Sequence, residues 1–168
     1  MTHAHVTAPL PDGLAQICFI GGSGHSGTTL LGLILGSHRE GFFCGEAINA
    51  RLLHATDKPH GKGVCKLCGP DCRIWTGLND GPDLYHRIAV RAGRTRIIDS
   101  TKDVSWIDAR SRALAEKNTP TALVFMLRDG RAVLNSYIRR YPGRSTRQLV
   151  ENWLSKIRSM RALQGNRI

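Results

Sequence analysis

Apolar runs of strand length alternate along the chain with stretches of helical period. Ile17-Cys18-Phe19-Ile20 has the length and composition of a buried strand. From Thr28 the pattern turns helical, with Leu30, Leu31, Ile34 and Leu35 recurring at steps of three and four. Phe42-Phe43-Cys44 predicts a short extended segment leading into Gly45-Glu46, and residues 84–92 a short helix. Arg96-Ile97-Ile98-Asp99 reads as a second full strand, ending in Ser100-Thr101-Lys102-Asp103. A helix is predicted from about Ser105 to Asn118, with Trp106, Ile107, Ala109, Ala113 and Leu114 inward and Pro120 beyond its end. Thr121 to Leu127, TALVFML, is the clearest strand after the first and delivers Arg128-Asp129-Gly130 at its carboxyl end. A helix follows to about Arg140 and is broken by Pro142-Gly143. The last helix runs from about Thr146 to Leu163, with Leu149, Val150, Trp153, Leu154, Ile157, Met160 and Leu163 as one apolar stripe.

Strands alternating with helices predict an α/β fold, a parallel sheet flanked by helices on both faces. Ligands of such sheets bind beyond the carboxyl ends of the strands. That rule sets the loop Gly24–Thr29, the segment 99–103 and Arg128 along one rim. Residues 1–16 read as a loose leader carrying Pro9 and Pro11, and 17–168 as one domain, with an irregular insert at about 54–83 rich in Gly, Pro, Asp and Lys.

The first loop changes the picture most. Gly21 to Gly27 holds four glycines in seven residues between a strand and a helix. Successive backbone N–H groups can converge on an anion there because no Cβ blocks the approach, and the helix N-terminus adds positive potential. Nucleoside-triphosphate loops of the type GxxxxGK[ST] carry a Lys for the terminal phosphates. Aligning Gly22 and Gly27 with that pattern puts Thr28 where the Lys belongs, which disfavours ATP hydrolysis. A P-loop nucleotide kinase or NTPase, and a non-catalytic module that binds a nucleotide or other anion, are the rival readings.

A length of 168 residues suits one domain, and 41% hydrophobic with 22% charged residues is ordinary for a globular protein. The longest apolar run falls far short of a membrane span, and no basic segment precedes an apolar core at the start, so a cytoplasmic location is the expectation. The net charge of +11 is uneven: residues 1–85 hold six Lys/Arg against seven Asp/Glu, and the rest hold eighteen against six. A basic half implies an anionic partner. Nucleic acid is disfavoured, because aromatics make up only 6% and no nucleic-acid module is present.

Taken together, the glycine loop with Ser26-Gly27-Thr28-Thr29, Gly45-Glu46, the segment DSTKD at 99–103 and the strand ending RDGRAVLNSY resemble the sulfotransferases that use 3′-phosphoadenosine 5′-phosphosulfate. The likeness covers about residues 17–140 and is nearest to tyrosylprotein and bacterial sulfotransferase-like proteins. It implies a P-loop-type α/β domain, transfer of a sulfuryl group to an acceptor hydroxyl or amine, and two partners: the nucleotide donor and an unidentified acceptor. It also implies a domain whose C-terminal part is lacking here, since such domains continue further.

Within the resemblance, Gly24, His25, Ser26, Gly27, Thr28 and Thr29 hold the 5′-phosphosulfate, and Arg128 with Ser136 grips the 3′-phosphate. Glu46 takes the acceptor proton, with Asp99 or Asp103 as rival bases. Lys102 offsets negative charge on the leaving oxygen. His25 stands where the family has Lys or Arg; either a protonated imidazole there assists the leaving group, with a rate that falls as pH rises between about 6 and 9, or His25 only hydrogen-bonds and Lys102 supplies the charge.

The five cysteines, in a chain without a signal peptide, do not suggest a disulfide framework. Cys65-x2-Cys68-x3-Cys72 followed by Trp75 resembles a Cys-rich insert of some bacterial sulfotransferase-like sequences. Three thiolates there can bind structural Zn²⁺, with Cys44 or a histidine such as His60 as fourth ligand; reduced, partly buried thiols are the other reading.

Overall fold

The structure, a computed structural model, describes residues 13–53, 65 and 68–165, apart from the side chains of 164 and 165. Most of the leader, and residues 54–64 of the insert with His60, lie outside the described residues.

Among the described residues, four strands, β1 (Gln16–Gly22), β2 (Gly41–Phe43), β3 (Arg96–Asp99) and β4 (Thr121–Met126), form one sheet in the order β2-β3-β1-β4. Every pairing is parallel. Among the described residues, six helical segments link or follow the strands: α1 (Thr28–Gly36), a 3-10 helix (Ala47–Leu52), α2 (Leu84–Ala92), α3 (Val104–Glu116), α4 (Gly130–Arg140) and α5 (Thr146–Gly165). The α/β expectation is met. The 3-10 helix is a feature the periodicity did not announce, being too short to establish a repeat.

Register sorts the side chains. Ile17 lies beside Ile97 and Thr121, and Phe19 beside Asp99 and Leu123, so these share a face. There Ile17, Phe19 and Ile97 pack with Leu84, Tyr85 and Ile88 of α2, Trp106 and Ile107 of α3, and Met160 and Leu163 of α5. The opposite face carries Ile20 and Ile98, both buried, and Phe43, under α1. Helices therefore cover both faces.

Two expectations about inward positions, in α3 and α5, need correction, and α1 has a face that its periodicity did not select. Helix α1 buries Thr28 and Gly32 and leaves Leu30 and Ile34 exposed. A Cβ at Gly32 would run into the Phe43 ring, so the helix approaches the sheet along its glycine side. In α3 the inward set is Trp106, Ile107, Ser111 and Leu114, whereas Ala109 is exposed. In α5, Leu149, Ile157, Met160 and Leu163 are buried and Leu154 faces out. Those apolar stripes were wider than the surfaces available to receive them.

Candidate active site

The strand–loop–helix unit folds as its residue types require. Gly27, the residue before α1, has φ +99°, a left-handed backbone that glycine adopts without strain. His25 also lies in the left-handed region, at φ +61°, although it carries a side chain. Its position is held from several sides. Arg128 Nη1 donates to the His25 carbonyl at 2.9 Å, Ser136 Oγ lies 3.0 Å from His25 Nδ1, and the Tyr137 ring meets the imidazole edge-on at 4.4 Å between centroids. A Cβ at Gly24 would collide with the Tyr137 hydroxyl. Arg128, just beyond β4, and the second half of α4 thus clamp the glycine loop.

These contacts assemble a cleft of about 600 Å³ lined by Gly24, His25, Gly27, Thr28, Thr29, Leu30, Leu33, Lys102, Arg128 and Ser136. The four segments involved are separated by up to about a hundred residues in sequence, and the parallel topology brings them together. Ser26 does not line the cleft: it is buried, and its hydroxyl donates to the Ser23 carbonyl at 2.7 Å, closing the turn from inside.

Arg128 is an exposed guanidinium at the rim. The neighbouring Asp129 pairs with Arg131 instead, and that bond holds its carboxyl down at about 2. Asp129 also caps α4 by accepting from Arg131 N at 2.8 Å. Arg128 therefore keeps most of its five N–H donors for a ligand, one of them being spent on the loop.

On the other side of the cleft, Lys102 Nζ pairs with Glu46 Oε1, and Lys156 of α5 donates to the Lys102 carbonyl at 2.9 Å. Glu46 lies just before the 3-10 helix and stands behind Lys102, outside the cleft lining. The segment is placed by Asp99. Its carboxylate, fully buried, accepts from Thr101 N at 2.8 Å, Ala47 N at 3.1 Å, Tyr85 Oη at 2.6 Å and Trp106 Nε1 at 3.3 Å. One side chain thereby fixes both the turn that carries Lys102 and the backbone after Glu46. Burial, reinforced by the Asp99 carboxylate and Cys44, holds the Tyr85 phenol well above its ordinary range.

Asp99 has no free face for an acceptor, and Asp103 caps α3 by accepting from Trp106 N at 2.8 Å. Both rival bases are occupied in structure. Sequence reasoning also passed over Tyr137, although it sits in the RDGRAVLNSY segment, and over Leu30 and Leu33, which look like ordinary helix core.

The sulfur atoms of Cys65, Cys68 and Cys72 lie within 4.8 Å of one another and can hold a metal ion. Thiol–thiol hydrogen bonds with Cys72 and Cys65 push the Cys68 thiol up to about 11. Cys44 is not part of this group: it is buried at the end of β2, its thiol donates to the Ile98 carbonyl at 3.2 Å, and burial pushes its titration well up. No disulfide joins any of the five cysteines. Among the described residues, no helix is long and apolar enough to cross a membrane.

No family model matches this chain, and neither a curated protein nor a solved structure matches it.

Proposed function

We propose that the protein is a sulfotransferase that moves a sulfuryl group from 3′-phosphoadenosine 5′-phosphosulfate to an acceptor hydroxyl or amine. One observation carries the reading: the lysine-less glycine loop, Lys102, and Arg128 with Ser136 open onto a single cleft. A phosphosulfate donor suits that arrangement better than a triphosphate with its magnesium, for which the loop lacks the lysine.

On this reading the loop from Gly24 to Thr29 receives the phosphosulfate end against the start of α1, where the first amides have no intrahelical acceptor. Arg128 and Ser136 take the 3′-phosphate, the guanidinium by charge-assisted hydrogen bonds and the hydroxyl through the valence left beside His25. The acceptor oxygen attacks sulfur, the bond from sulfur to the bridging phosphate oxygen breaks, and adenosine 3′,5′-bisphosphate leaves. Glu46 receives the acceptor proton, and Lys102 with His25 offsets the charge on the departing oxygen. The ion pair with Glu46 sets Lys102 at the cleft before a ligand arrives.

The test is calorimetric titration with adenosine 3′,5′-bisphosphate and with Mg·ATP, followed by transfer from ³⁵S-labelled donor to a panel of alcohols, phenols and amines. The bisphosphate is expected to bind and Mg·ATP not to; the reverse order establishes an NTP enzyme. Arg128→Ala should weaken the bisphosphate by about 2–4 kcal/mol, roughly 30- to 900-fold. Unchanged binding removes the 3′-phosphate assignment. Glu46→Gln should keep donor affinity and lose transfer, whereas a module that only binds is indifferent to it.

A further inference from the structure

We infer that Cys65, Cys68 and Cys72 form a structural zinc site that pins the irregular segment after it onto the face of the sheet bearing α2. This inference is independent of the proposed transfer reaction.

The backbone at Cys65 and at Gly69, just after Cys68, is closed on itself. Gly69 N donates to the Cys65 carbonyl at 2.9 Å, the two residues bridge in antiparallel fashion, and Gly69 takes φ +73°. The sulfurs of Cys65, Cys68 and Cys72 converge on one point. Tetrahedral zinc with Zn–S bonds of about 2.3 Å needs sulfurs roughly 3.8 Å apart, a modest contraction from the 4.8 Å limit within which they lie. Three thiolates are a soft donor set that selects zinc over magnesium or calcium. The fourth tetrahedral position of a structural site belongs to a protein donor other than these three.

The surroundings show what the ion would hold. Residues 70–83 contain no regular helix or strand, yet Cys72, Ile74 and Leu78 are buried in the core with Leu84, Tyr85 and Ile88. Polar ties reach the segment from outside: Arg91 donates to the carbonyls of Ile74 and Thr76, and Arg110 to that of Gly81. Within it, Thr76 N bonds to the Cys72 carbonyl and Thr76 Oγ1 to that of Pro70. A metal at its head completes the fastening. Tyr85 then links this packing to Asp99, and Asp99 to the turn of Lys102.

The experiment uses the full chain expressed in zinc-supplemented medium, purified without chelator and analysed for metals, together with Cys68→Ser and, as a control outside the group, Cys18→Ser. About one zinc per chain is expected for the wild type and Cys18→Ser, and less than one per five chains for Cys68→Ser. Removing the metal should lower Tm by about 5 °C or more, and added zinc should restore it. Cobalt replacement should give thiolate-to-metal charge transfer and the visible bands of a tetrahedral site. Less than about one zinc per five wild-type chains, full retention by Cys68→Ser, iron with labile sulfide, or a disulfide among the three cysteines overturns the inference.

Discussion

The two carboxylates that position Lys102, Asp99 through its turn and Glu46 by an ion pair, show how burial separates a structural role from a chemical one. Asp99 is sealed in and saturated with donors, whereas the Glu46 side chain keeps 41% of its surface exposed. Replacing Asp99 with Asn puts an amide NH₂ against donors that need an acceptor. The expected cost is about 2–4 kcal/mol in urea unfolding, because buried donors lose their partner. Glu46→Gln removes one partly exposed ion pair and should change stability by no more than about 1 kcal/mol. Equal losses from both would mean that Asp99 is not the organising residue. In the sequence the two are indistinguishable: each is an acidic residue after a short apolar run. What separates them is the arrival of Tyr85 and Trp106 from other elements, which no local pattern encodes.

Elements were far more legible than their orientation. Every strand and α-helix expected from periodicity is present, because most are bounded by Gly, Pro or a capping residue and filled with residues suited to the element. Helix α1 is the instructive exception. With Leu30, Leu31, Leu33, Ile34 and Leu35 it is apolar on nearly every side, so hydropathy selects no inward face. The choice falls to Gly32, whose missing side chain admits the Phe43 ring. Gly32→Val should force the helix off the sheet and lower stability by about 2 kcal/mol or more, the scale of overpacking. The exposed Leu33→Ala should cost less than about 0.5 kcal/mol in the same denaturation assay. Similar costs for the two would reverse the assignment of faces. The cleft was legible only as a rim, through the rule for parallel sheets; the clamp of Tyr137 on the loop depends on the twist and packing of α4.

The molecule as a whole has an alkaline weakness built into its core. Cys44 and Tyr85 are both buried with their titrations pushed above the ordinary range. The folded state therefore keeps protons that the unfolded chain releases from about pH 8.5 for cysteine and about pH 10 for tyrosine. Stability from these groups is complete below those values and declines as pH rises toward the folded ones. Tm measured between pH 7.5 and 10.5 should fall, and Tyr85→Phe should flatten the upper part of the curve. A Tm that climbs over this interval contradicts the burial of both groups. The sheet, meanwhile, is not uniformly protected. Its inner strand β1 is flanked on both sides, whereas β4 is paired along one edge only, and none of its residues is fully buried. Yet this is the strand that carries Arg128 to the rim. Amide hydrogens of Thr121–Met126 should consequently exchange with deuterium well before those of β1, as a local opening that leaves the other three strands intact. A nucleotide spanning the glycine loop and Arg128 would staple that margin shut. Slower exchange in β4 on adding adenosine 3′,5′-bisphosphate, with β1 unchanged, would turn this margin of the sheet into a reporter of occupancy.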